Sequence, residues 1–176
     1  AEALGDRVAR VVLVDGGLPP KLPAVLSRPW AVRAAFGLAL KRSAKQWKDV
    51  DSYARVLLGK SLRSRPDLLP EITQWCAYDL DADRRPRLER TTIVADAVDC
   101  FFGPDVEPAL RALTVPTHLV WATDGKHDGA RPMYTQEVVE SWLAQLPHLR
   151  AYRVPANHVT VMFSPEVARA VALSDA

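Results

Sequence analysis

The run Leu149-Arg150-Ala151-Tyr152-Arg153-Val154-Pro155-Ala156-Asn157-His158 reads as a short strand that stops at Pro155 and delivers one imidazole on a loop. A helix follows at once, with Ser164 as N-cap, Pro165 at its first position and Glu166 in its first turn. Upstream, Met133 to Leu146 is amphipathic and places Val138, Val139, Trp142, Leu143 and Leu146 on one helical face. Before it stands a second apolar run, Val115 to Ala122. The tail therefore predicts strand, helix, strand, helix, the alternation of a parallel α/β sheet. A third run of the same kind, Arg10 to Asp15, is continuous in apolar residues and ended by Gly16-Gly17, as expected of a strand buried on both faces. Ala1 to Arg7 reads as the end of a helix leading into it.

About a hundred residues separate the first strand from the second, far more than the dozen or so that a parallel crossover needs. Apolar spacing predicts helices there over Pro29–Ser43, Val50–Leu62, Asp67–Tyr78 and Arg90–Phe102, the last stopped by Gly103-Pro104. Asp79 to Arg90 is the most polar loop, and there is no internal repeat. The expected organisation is an α/β core made of residues 1–17 and 113–176, with a helical insertion at residues 18–112. A sheet of three parallel strands would leave Val11 to Val14 with an unpaired apolar edge, and such an edge aggregates or finds a partner. More strands are expected from elsewhere.

Composition narrows the function classes. With 48% hydrophobic residues over 176 positions the chain can bury a core, which argues against a disordered linker. Twenty-three basic residues against twenty-one acidic leave a charge of +2, scattered rather than gathered into a basic stripe, so nucleic-acid binding is disfavoured. No apolar run approaches the roughly 18 residues that a bilayer requires, and no basic-then-apolar leader opens the chain. Cys76 and Cys100 have neither metal spacing nor the density of a disulfide scaffold, which points to a reducing, cytoplasmic setting. The first residue is Ala1 rather than Met, as in a processed or trimmed product.

The order strand, Asp15-Gly16-Gly17, helical insertion, strand, acidic loop, helix, strand, Asn157-His158 resembles the C-terminal half of α/β-hydrolases over essentially the whole chain. Within that superfamily, Arg7 to Gly17, Gly125-Lys126-His127-Asp128 with Pro132-Met133-Tyr134, and Asn157 to Met162 are similar to capped, esterase-like bacterial hydrolases. The resemblance implies that the insertion is a lid and that His158 is the general base. It also implies a nucleophile on a Gly-x-Nuc-x-Gly turn between strand and helix, and no such turn with serine, cysteine or aspartate occurs in these 176 residues.

Three aspartates stand at strand ends on one side of the expected sheet. Asp128, in the loop where most of the family keeps its acid, is the first choice for orienting His158; Asp15, at the position a minority uses, is the second; Asp124 suits a turn with Gly125. Asn157 is expected to shape its turn. His127 has no further ligand at metal spacing and reads as a loop residue, and neither a metal nor a cofactor is expected. Gly59-Lys60-Ser61 ends like a phosphate loop but lacks the earlier glycine and the strand-to-helix context. Of the aromatics concentrated in the insertion, Trp30, Trp75, Phe101 and Phe102 are candidates for an apolar substrate cleft, against the commoner role of packing the insertion's own core; Trp121 reads as core.

Two main readings of function follow, with a third beside them. One is the histidine-and-acid half of a hydrolase for a small apolar ester or related acyl substrate, inactive until an N-terminal fragment or a second chain supplies a serine. The other is a non-catalytic relative that binds a ligand or partner, and cyclisation or elimination by the histidine alone is a third. The sequence is equally compatible with proteolytic separation, genetic separation and truncation.

Overall fold

A computed structural model of the chain describes residues 7–19 and 29–172. The helix end expected over Ala1 to Arg7 lies, but for its last residue, outside the described residues. Strands β1 (Val11–Val14), β2 (Thr117–Ala122) and β3 (Leu149–Val154) form one parallel sheet in the order β1-β2-β3. Val14 lies beside Val120, and Ala122 beside Val154. All six residues of β2 are buried, whereas all four of β1 are only partly so, as expected when one edge of β1 has no neighbour among the described residues.

Side chains alternate between two apolar layers, which is why the strands read as continuous apolar runs. Leu13, Leu119, Trp121, Leu149 and Ala151 face Val139 and Trp142 of α7 (Gln136–Leu143). Val12, Val14, Val120, Ala122 and Val154 face Val161 and Ala170; Val161 belongs to a 3₁₀ turn, Thr160–Phe163, and Ala170 to α8 (Pro165–Ala172). Trp121 is core, as its pattern predicted. Thr135 caps α7 by accepting from the Val138 N–H, and Ser164 Oγ accepts from the Val167 N–H at the start of α8.

The insertion is helical but finer-grained than its periodicity suggested. The expected helix over 29–43 is two, α1 (Pro29–Ala35) and α2 (Gly37–Ser43), broken where Phe36 leaves helical geometry next to glycine. The next, α3 (Val50–Leu58), starts at an Asp49–Ser52 capping box and ends at Gly59. A 3₁₀ turn, Pro66–Leu68, leads into α4 (Leu69–Asp79), and α5 spans Arg90–Phe102 as predicted. A short helix, α6 (Val106–Arg111), has no counterpart in the sequence reading.

Contacts divide the chain into two compact units. One comprises the stretch up to Leu18, Lys60–Pro66 and the chain from Glu107 onward; the other is Pro19–Gly59 with Asp67–Val106. The boundaries expected at 17/18 and 112/113 therefore shift, and Lys60–Pro66, assigned by sequence to the insertion, clusters with the sheet. The physical reason is local: the buried Ser61 hydroxyl donates to the Lys126 carbonyl at 2.7 Å. The helical unit has its own core, in which Trp47 packs on Tyr53 at 5.2 Å between centroids and the Tyr53 hydroxyl donates to Asp79. No helix among the described residues is long and apolar enough to cross a membrane.

Candidate active site

The C-terminal ends of the three strands define the site. The backbone of Asp15, immediately after β1, is left-handed with φ +43°, a conformation that costs most residues about 1–3 kcal/mol and that Asp and Asn tolerate better than others. Its N–H continues the ladder to the Val120 carbonyl at 2.8 Å, and the turn then swings the carboxylate back over the end of β2. There Oδ1 accepts from the Ala122 N–H at 3.0 Å, and Oδ2 lies 2.8 Å from His158 Nδ1. Asp15 is 1% exposed, so both its oxygens are held by protein groups.

Two features fix this turn from behind. Gly17 (φ +89°) passes so close to Leu13 that a Cβ would sit 2.7 Å from its side chain. The buried Tyr134 hydroxyl accepts from the Leu18 N–H at 3.2 Å and donates to the Leu18 carbonyl at 3.1 Å. Burial pushes the Tyr134 phenol up to about 12.

His158 follows β3 on a loop whose backbone is also anchored: its N–H donates to the Gly125 carbonyl at 2.7 Å. A carboxylate accepts, so the ring nitrogen facing Asp15 carries the proton and Nε2 holds the lone pair. With 46% of its side chain exposed, His158 can present that lone pair to a group outside the described residues. This is the arrangement of a general base oriented by an acid.

The structure brings one of the two candidate acids to His158. Asp15 meets the imidazole, and Asp128 does not. The exposed Asp128 carboxylate accepts from Asn157 Nδ2 at 2.7 Å and from the Ser64 hydroxyl, and these hydrogen bonds, Ser64 first, hold its carboxyl below the usual carboxylate range. Asp124 donates its N–H to the Ala156 carbonyl as part of the turn after β2. Asn157 does shape its turn: its Oδ1 accepts from the Val159 and Thr160 N–H groups at 3.0 and 3.1 Å. His127 contacts only the Asp128 carbonyl among the hydrogen bonds described, and no group of three metal-ligating residues occurs among the described residues.

The four aromatic candidates all belong to the helical unit. Trp30 and Trp75 are exposed, Phe101 packs on Phe36 at 6.2 Å, and Phe102 lines a groove of about 940 Å³ with Arg33, Leu40, Val94 and Val98. Cys76 is buried, and burial pushes its thiol up to about 11; Cys100 is exposed. Tyr134 and Ser61 were not singled out by sequence as structural partners of the site. A tyrosine or serine in a loop has no periodic signature, and their roles depend on carbonyls distant in sequence.

Comparison with solved structures places the fold. An E-2-(acetamidomethylene)succinate hydrolase superposes with a TM-score of 0.59 and 21% identity, covering 94% of this chain and 56% of that one. A thioesterase domain from the curacin biosynthetic pathway gives 0.59 at 16% identity, over 99% of this chain and 59% of that one. A thermophilic esterase from Thermogutta terrifontis gives 0.54 at 19% identity, over 94% and 55%. The chain therefore spans a little over half the length of each of these three proteins. No protein-family model matches the sequence, and no curated protein matches it. Identities this low speak for the fold alone, and with the β1-β2-β3 order and the helical insertion they make the chain the C-terminal part of an α/β-hydrolase fold.

Proposed function

We propose that these residues form the histidine-and-acid half of an α/β-hydrolase that cleaves a small apolar ester or related acyl substrate, with a serine supplied by a segment outside them. The observation that carries the reading is the 2.8 Å pair between His158 Nδ1 and the buried Asp15 carboxylate, on a side chain that is nearly half exposed. In this mechanism His158 Nε2 takes the serine proton as the hydroxyl attacks the acyl carbon, and Asp15 stabilises the imidazolium. The proton passes to the leaving alcohol, leaving an acyl-enzyme. His158 then deprotonates water, which attacks the acyl carbon; the bond from that carbon to the serine oxygen breaks, the imidazolium returns its proton to the serine, and the acid is released. The outer edge of β1 is where the nucleophile-bearing strand would pair, next to Asp15. The insertion would act as a lid, and the two free cysteines accord with a reducing, cytoplasmic setting.

The test uses the longer protein or the reconstituted pair, treated with a fluorophosphonate probe. Labelling of a serine in a Gly-x-Ser-x-Gly turn is expected, slowed by roughly three decades or more in His158→Ala. Labelling at an undiminished rate in that variant would remove the imidazole from the mechanism.

A further inference from the structure

Asp128 occupies the loop that suggests a partner for His158, yet its carboxylate is spent on the neighbouring residue. The Asn157 amide is fully buried and uses its whole hydrogen-bonding capacity. Its Nδ2 donates to the Ser61 carbonyl at 2.8 Å and to Asp128 Oδ1 at 2.7 Å, while its Oδ1 accepts from the Val159 and Thr160 N–H groups. Asp128 is held in turn by the Ser64 hydroxyl, and the Ser61 hydroxyl ties the same strap, Lys60–Pro66, to the Lys126 carbonyl. Three stretches distant in sequence are thereby joined at the residue immediately before His158.

The imidazole needs such support. Asp15 supplies a side-chain hydrogen bond to the ring, nearly half the side chain is exposed, and its direction otherwise depends on the backbone at 157–158. Removing the Asp128 acceptor leaves one N–H of a buried amide unpaired, and the cheapest relief is rotation or withdrawal of Asn157, which carries the His158 backbone with it. We propose that Asp128 is a positioning residue for His158, acting through Asn157 to fix the turn that aims the ring rather than pairing with the imidazolium. Its bearing on turnover rests on the function proposed above; the positioning itself does not.

Two substitutions separate geometry from charge. Asp128→Asn keeps an oxygen that can accept from Asn157 and removes the charge; Asp128→Glu keeps the charge and displaces the acceptor by a methylene. Nitrogen-15 spectra of the 176-residue chain report the His158 tautomer and its low-field Nδ1–H signal. Asp128→Asn is expected to leave both unchanged, Asp128→Glu to broaden the signal and mix the tautomers, and Asp15→Asn to abolish the signal. In the longer enzyme, Asp128→Asn should keep kcat within about threefold, while Asp128→Glu lowers kcat by roughly 10-fold or more, with KM changing little. The proposal is overturned if Asp128→Asn is as damaging as Asp15→Asn, or if Asp128→Glu leaves the His158 signal intact. Spectra as expected alongside turnover indifferent to His158→Ala would refute the hydrolase reading and leave the positioning role standing.

Discussion

Asp15→Asn separates orientation of the imidazole from its mere presence. Asparagine is at home at φ +43°, and its Oδ1 can keep the 3.0 Å bond from the Ala122 N–H, so the turn after β1 survives. What changes is the atom facing His158: an amide NH₂ donates where a carboxylate oxygen accepted at 2.8 Å. The imidazole must then offer its lone pair at Nδ1 and carry its proton on Nε2, the nitrogen that in the proposed mechanism receives the serine proton. One charge-assisted hydrogen bond to a half-exposed ring is replaced by a neutral one, so stability should fall by no more than about 1–2 kcal/mol. The rate should fall much further. Loss of the correct tautomer and of imidazolium stabilisation is worth roughly 10³–10⁴ in kcat, or about 4–5.5 kcal/mol of activation free energy. Because 46% of His158 is open to water, which can solvate an imidazolium, the lower end is expected. The assay is kcat and KM on a chromogenic acetate ester with the longer enzyme, beside a urea melt of the same variant. A loss below tenfold in Asp15→Asn, with a thousandfold loss in Asp128→Asn, would refute the assignment of the acid.

Two further outcomes follow from the supports of the site. Tyr134→Phe removes both hydrogen bonds to Leu18 and leaves a buried N–H and C=O unpaired, so a urea melt should show a loss of about 2–4 kcal/mol. Because the folded state raises the Tyr134 phenol to about 12, the stability it contributes is complete below about pH 10 and lost as pH rises towards 12; Tyr134→Phe should lack that part of the alkaline transition. Gly125→Ala puts a Cβ 2.0 Å from the Arg131 carbonyl oxygen, a backbone atom that cannot rotate aside, and moves the carbonyl that accepts the His158 N–H. It should cost about 1–3 kcal/mol in the same melt and lower kcat more than it raises KM.

The sheet was legible because burial on both faces writes itself into a strand as an unbroken apolar run, and Gly16, Thr123-Asp124-Gly125 and Pro155 punctuate the ends. Helix α5 was legible to the residue for a similar reason, with Gly103-Pro104 as its stop. His158 stood out only with its flanking pattern and the family resemblance, since a lone histidine after a strand reads more often as a plain surface-loop residue. The acid could not be chosen in the same way. Asp15 and Asp128 both follow strands, and what separates them is a left-handed turn at residue 15 and the reach of the Asn157 amide, neither of which is written in local sequence. The Lys60–Pro66 strap was hidden for the opposite reason: it lies between two helical patterns and joins the sheet unit through Ser61, a residue type that sequence places on the surface.

The central claim is that His158, aimed by Asp15, serves a nucleophile carried by a strand alongside β1. A crystal structure of the longer protein with a covalent phosphonate adduct measures this directly. It should show the adducted serine Oγ within about 2.6–3.2 Å of His158 Nε2 and its strand paired along Val11–Val14. An adduct out of reach of that nitrogen, or a β1 edge still unpaired beside a labelled serine, would contradict it.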